Sequence, residues 1–154
     1  MASQTAAALD IVPHWGRMND SIIQLVDYIP DDKLDWSPKP ELWNFKGILV
    51  HIATARHIWM TRDVKDGEPS PNVLGEARTK DDLKRHLRMS WERLHRFLSD
   101  PAKLAAEYEG PFEPHTFTGH WIAFHAIEHD IHHRADIFHY LALLGIETPD
   151  VTTP

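Results

Sequence analysis

His125-Ala126-Ile127-Glu128-His129-Asp130-Ile131-His132-His133-Arg134 is the stretch on which the reading of this chain turns. The apolar residues in and around it recur at helical spacing, so it belongs to a long helix. Positions four apart on a helix lie on nearly the same face, about 6 Å apart along the axis. His129 and His133 can therefore aim their imidazoles at one point, which is half of a metal site.

A second histidine interrupts an apolar helical pattern upstream, in Gly47-Ile48-Leu49-Val50-His51-Ile52-Ala53-Thr54-Ala55-Arg56-His57-Ile58-Trp59. The expectation is that His51 points inward and reaches across a helical bundle to complete a three-histidine set with His129 and His133. His57, rotated away from His51, is expected at the edge.

The totals set the frame. At 154 residues the chain has the length of one ordinary domain, and 1–154 is read as a single domain with a real core. A formal charge of −7 and the lack of a Lys/Arg cluster argue against nucleic acid and anionic membranes as partners. There is no cysteine, hence no disulfide framework and no thiolate to compete for a metal. No leader pattern or membrane-length apolar run is visible, so a cytoplasmic protein is expected. Histidine is the outlier, at twelve residues.

Working outward, Ile11, Trp15, Met18, Ile22, Leu25 and Ile29 form one helical stripe, predicting a first helix over 12–29 closed by Pro30. Pro13 fits its first turn, where the missing N–H costs nothing. Residues 30–43 form a connection whose Leu34, Trp36 and Trp43 are expected to cap the core. Asn44 is the expected N-cap of a second helix over 45–64, with Ile48, His51, Ile52, Ala55, Ile58, Trp59 and Arg62 on one face. Lys65 to Arg78, with two glycines and two prolines, reads as a loop long enough to cover a site.

Thr79 with Asp82 resembles a capping box opening a third helix, buried along Leu83, Leu87, Trp91, Leu94 and Phe97 or Leu98, and ended by Asp100-Pro101. Residues 101–116 read as an irregular connection containing Tyr108, Gly110, Pro111, Phe112 and Pro114. Thr116 or Thr118 caps the last helix, which runs to Leu144 and stops at Gly145. At about 1.5 Å per residue it is roughly 40 Å long and spans a bundle. Its apolar face is read as Trp121, Phe124, Ile127, Ile131, Phe138 and Leu141. Four amphipathic helices with no strand pattern define the fold class as all-α, a four-helix bundle.

A second line on the last helix carries Ile122, His125, His129, His133, Asp136 and Tyr140. Polar groups inside a bundle destabilise it unless satisfied, and one cation satisfies several imidazoles at once. Three neutral imidazoles leave coordination positions open on a divalent ion: zinc, nickel or iron. Because the ligands must be neutral, metal is expected to be lost as pH falls near 6. The plain alternative is a set of hydrogen-bonded core histidines or a solvated face. His125 reads as a neighbour or alternative ligand, and His132 as a neighbour pointing partly away. Of Glu128, Asp130 and Asp136, Asp136 is favoured to orient an imidazole. His57, His115, His120 and His139 read as structural or surface residues.

The Leu49-Val50-His51-Ile52-Ala53 segment and His129-Asp130-Ile131-His132-His133-Arg134, running into Tyr140-Leu141-Ala142-Leu143-Leu144-Gly145-Ile146, resemble the DinB/YfiT-like superfamily over nearly the whole chain. The resemblance implies a bundle with a three-histidine metal site, whose ligands fall by motif position on His51, His129 and His133. It also implies a homodimer. The superfamily usually follows the last His-Arg with Gly-Gln, where this chain has Ala135-Asp136, so the substrate contact associated with that glutamine is not carried over. Relatives of this kind include transferases and isomerases that use a low-molecular-weight thiol, and metal-dependent hydrolases.

The expected function is therefore a metal-dependent enzyme, a thiol-dependent transferase or isomerase acting on a small electrophilic molecule. The alternatives are a metal-dependent hydrolase and a non-catalytic metal-binding stress-response protein. The last would have a closed site with a fourth ligand from His125 or a carboxylate.

Overall fold

The computed structural model describes residues 11–110 and 115–150. Four long helices build it. Helix α1 (Val12–Tyr28) starts on Pro13 and buries Trp15, Met18, Ile22, Leu25 and Val26. Ile29, just past its end, is also fully buried. Each large apolar side chain removed from water contributes about 1.5–3 kcal/mol, which outweighs the absence of any side-chain cap at Ile11.

The connection 30–43 lays Leu34 and Trp36 on the core, as expected of capping aromatics. Trp43 behaves differently and is half exposed, at 50%. Asn44 accepts from the Gly47 N–H at 2.7 Å and opens α2 (Phe45–Ile58), which continues as a π-helical turn, Trp59–Val64. The buried arc of α2 is Ile48, Leu49, Ile52, Ala53, Arg56, His57 and Met60. This corrects the predicted face. His51, Ala55, Ile58 and Trp59 lie at its margin, while His57, expected at the edge, is only 4% exposed. The reason is that α2 packs on two partners: its Arg56–His57 side meets α4, and its His51 side meets α6.

A short helix, α3 (Val73–Glu76), interrupts the expected loop, which is fastened to Arg93. The Arg93 guanidinium donates to the Glu68 and Pro69 carbonyls at 2.6 and 3.2 Å and to Asp66 at 2.7 Å. The loop is thus tied to α4 and not to the histidine cluster.

Helix α4 (Lys80–Leu98) opens with the expected box: Thr79 Oγ1 accepts from Asp82 N–H at 3.1 Å, and Asp82 Oδ2 accepts from Thr79 N–H at 3.0 Å. Thr79→Ala should lower unfolding stability by about 1 kcal/mol, read as a lower urea midpoint at unchanged slope. A change within error would remove the cap from the list of fold determinants.

After the short α5 (Pro101–Ala105), β1 (Glu107–Glu109) pairs antiparallel with β2 (Thr116–Thr118), Tyr108 opposite Phe117. No strand was expected. Three residues alternating exposed, inward, exposed are too few for a period-two pattern to register in sequence. Pro111, Phe112 and Pro114 of this connection lie outside the described residues.

Thr118 accepts from the Trp121 N–H at 3.1 Å and caps α6 (Gly119–Leu143), which ends before Gly145 at φ +72. A Cβ at residue 119 would lie 2.2 Å from the Lys103 carbonyl oxygen, so only glycine lets α6 start against α5. The apolar line predicted on α6 is largely overturned: Trp121, Phe124 and Ile131 are 42%, 62% and 47% exposed. The helix faces the bundle with Ile122, Ala123, Ala126, Asp130, Ile137, Tyr140 and Leu141. Small alanines admit close approach, and a charged residue takes the place the pattern gave to an apolar one.

That charge belongs to a polar layer between two apolar clusters. One cluster holds Ile22, Leu25, Ala53, Leu87 and Ile137, the other Trp15, Met18, Met60, Leu94 and Ala126. On each long helix the change of cluster falls beside one member of the layer: Asn19, Arg56, Ser90 or Asp130. Arg56 pairs with Asp130 at 2.8 Å and donates to Asn19 Oδ1 at 2.8 Å and the Leu87 carbonyl at 3.3 Å. Trp15 Nε1 donates to Asp130 Oδ2 at 2.9 Å. One guanidinium therefore reaches all four long helices.

Candidate metal centre

The α2–α6 contact brings the three predicted histidines together. His51 Nε2 lies 2.7 Å from His129 Nε2, and one ring nitrogen from each of His51, His129 and His133 falls within 4.8 Å of the others. All three are half-buried. Ligand nitrogens on a tetrahedral zinc-like ion lie about 3.3 Å apart, so the His51–His129 pair needs to open by only about half an ångström. The donor set fits a divalent ion of borderline softness.

Electrostatics favours the form a metal needs. Burial, then the neighbouring imidazoles His129 and His133, lowers the His51 pKa to about 4. Burial and His129 lower His133 in the same direction, against the opposing carboxylate of Asp136. Neutral rings keep their lone pairs. Proton competition for these nitrogens is accordingly displaced to more acid pH than the value near 6 expected of free histidine.

Neighbouring groups fix the rings. His133 Nδ1 donates to Asp136 Oδ2 at 3.1 Å, which directs its Nε2 to the cluster and matches the role read for Asp136. His129 Nδ1 lies 3.9 Å from Asp130 Oδ1, so the buried polar layer backs this ring. Burial alone would raise the Asp130 carboxyl, but Arg56 outweighs it and holds it below the ordinary value. Trp43 covers the other side, its ring 4.3 Å from His51 and 5.8 Å from His133 between centroids.

Asp130, weighed beside Asp136 but not favoured, and Arg56 and Trp43, given no part in the site, are the residues whose role sequence reasoning did not reach. Two opposite charges set in otherwise apolar helical patterns were the available signal for the first two. Trp43 carried none beyond being aromatic. His125 does not join the cluster; it stacks on Trp121 at 5.1 Å and meets Trp59 at 5.1 Å. His132 is exposed, edge-on to His133 at 5.0 Å. Glu128, His115, His120 and His139 are exposed.

His57, on the same helix as His51 but turned to Arg93 on α4, provides a pH test of the fold. Burial, then the charge of Arg93 at 3.2 Å, lowers its pKa to about 4, against 6.5 for an unperturbed histidine. Between these values the unfolded chain binds the proton more tightly, so the fold weakens as pH falls from about 6.5 towards 4. Chemical denaturation of His57→Gln should show a smaller loss across this window than the parent protein; an equal loss would rule His57 out as a contributor.

A helical bundle with clustered imidazoles on facing helices belongs to the class of bundle proteins able to hold a metal between helices. The model of the DinB family matches residues 1–154, and the chain belongs to that family. Solved structures agree. A DinB-like protein of Bacillus subtilis is 25% identical, with a TM-score of 0.71 over 92% of this chain and 96% of that one. A DinB-like protein of Bacillus cereus, 16% identical, gives 0.67 over 90% and 93% and shares the fold. No curated protein matches. Among the described residues no helix is long and apolar enough to cross a membrane.

Proposed function

We propose that the protein is a metal-dependent enzyme in which His51, His129 and His133 hold a divalent ion, zinc or nickel or iron, and that it transfers a small thiol to an electrophilic small molecule. The observation that carries this reading is the convergence of three imidazoles, with no fourth protein donor joining them among the described residues. A purely structural site closes its coordination sphere with four protein ligands. His125, the expected fourth ligand of that alternative, is engaged by Trp59 and Trp121.

A divalent ion held there supplies Lewis acidity, which lowers the pKa of a thiol or a water beside it. The chain's own residues do the rest. Asp136 keeps the proton of His133 on Nδ1. Asp130, locked by Arg56 and Trp15, backs His129. Trp43 shields His51 and His133 from water on one side.

The test is a turnover assay with metal-loaded protein, a low-molecular-weight thiol and a generic electrophile, with His133→Ala as control. A metal-dependent rate absent from the control supports the transferase reading. Equal background rates reject it, and hydrolysis of an activated ester without thiol would move the assignment to a hydrolase.

A further inference from the structure

Behind Trp43, on the Asp136 side of the histidine cluster, lies an open cavity of about 330 Å³. Glu41, Leu42, Trp43, His132, Asp136 and Tyr140 contribute to its wall. Its charge is one-sided, with two carboxylates and no lysine or arginine in the lining.

Three of its polar groups are left over by the fold. Tyr140 is only 8% exposed and lines this cavity, and its hydroxyl meets no protein partner among the described residues. A hydroxyl that water alone reaches keeps its donor and acceptor capacity for a ligand. Among the described residues Glu41 forms no ion pair. Asp136 uses Oδ2 on His133, with His132 3.9 Å from the same oxygen, and among the described residues Oδ1 meets no partner. Burial and the Asp136 charge both push the Tyr140 hydroxyl above its ordinary pKa, so it stays protonated, with an oxygen lone pair to offer. The half-exposed indole of Trp43 adds an electron-rich face. Carboxylates, a hydroxyl oxygen and an indole face around one opening form a receptor for positive charge.

We propose that this cavity binds the ammonium group of a small organic cation, with Glu41 and Asp136 as its counter-charges, the Tyr140 hydroxyl as an acceptor and Trp43 as a cation–π wall. None of the three histidines lines the cavity, and cation binding there does not require that they hold a metal. The cavity adjoins them through Trp43 and Asp136, so a cationic group bound there sits next to the proposed reaction centre.

The experiment is an NMR titration of the metal-free full-length protein with butylammonium, following the Trp43 indole and Tyr140 ring resonances, with butanol and butyrate as isosteric controls. Butylammonium should give saturable shifts that butanol and butyrate do not. Glu41→Gln should weaken binding by about fivefold, as loss of one partly exposed charge pair implies. Tyr140→Phe should weaken it without unfolding the protein, since that hydroxyl has no partner among the described residues. Equal shifts with butanol would overturn the proposal in favour of a nonspecific apolar cleft. Saturation by magnesium or zinc alone, with none by butylammonium, would overturn it in favour of an inorganic cation on His132, His133 and Asp136, whose donor atoms also approach within 4.8 Å. Because no metal is present, failure here leaves the transferase reading intact, and failure of the turnover assay leaves this site intact.

Discussion

Asp130→Ala should destabilise the protein by about 3–5 kcal/mol, the usual result of stranding one member of a buried ion pair. The variant should be largely unfolded by moderate urea or accumulate as insoluble protein. The side chains of Arg56 and Asp130 are 1% and 0% exposed, so no water can take over when the carboxylate goes. Arg56 would keep Asn19, the Ser90 hydroxyl and a carbonyl of α4 as partners, all neutral, and Trp15 Nε1 would lose its acceptor. The paired replacement Arg56→Met with Asp130→Leu separates two explanations. If the pair acts only as a satisfied burial, the double variant recovers most of the loss, because apolar residues of similar volume replace such pairs at little cost. If it also aligns the four helices, the double variant is stable yet gives broadened or multiple NMR resonances. A loss below about 1 kcal/mol for Asp130→Ala would be the size expected of an exposed pair and would remove the polar layer from its place at the centre of the fold.

The same layer explains where sequence reading succeeded and where it stopped. Helices α1 and α4 were legible because their apolar stripes are strong and their boundaries carry local chemistry: Pro13 and Pro30 for one, the Thr79–Asp82 box for the other. The α6 cap at Thr118 and stop at Gly145 were legible for the same reason. The orientation of α6 was not. Counting Trp121, Phe124 and Ile131 as core treats every apolar residue as buried and every charge as exposed. Here Asp130 is buried because Arg56, seventy-four residues away, meets it, and periodicity within one helix cannot see that partner. His57 was misplaced for a related reason, since its environment is set by Arg93 on another helix. His129 and His133 share a face as read because their spacing encodes it directly, and His51 was legible only as a histidine interrupting the apolar pattern of α2. Trp43 escaped because a residue in an irregular connection has no period to betray its direction.

His51→Ala, His129→Ala and His133→Ala should each abolish stoichiometric zinc or nickel binding while leaving the helical content of the protein unchanged. The rings are half-buried at the margin of the bundle and carry no part of either apolar cluster. Removing one of three donors leaves two, too few for a stable site at this softness. Elemental analysis of untagged protein after dialysis is the direct measurement: about one ion per chain for the parent and background for each variant. Asp136→Asn makes a finer comparison. It keeps the shape of the side chain but removes the charge that holds the His133 proton on Nδ1, and changes of this kind cost about 10–100-fold in metal affinity. His125→Ala, by contrast, should leave the ion in place, because that ring is committed to Trp59 and Trp121. Retention of the ion by all three histidine variants would show that the cluster is a hydrogen-bonded polar patch, and the thiol chemistry would lose its basis. Loss in His125→Ala as well would make the sphere four-coordinate, and the argument from an open position would fall even with the metal confirmed.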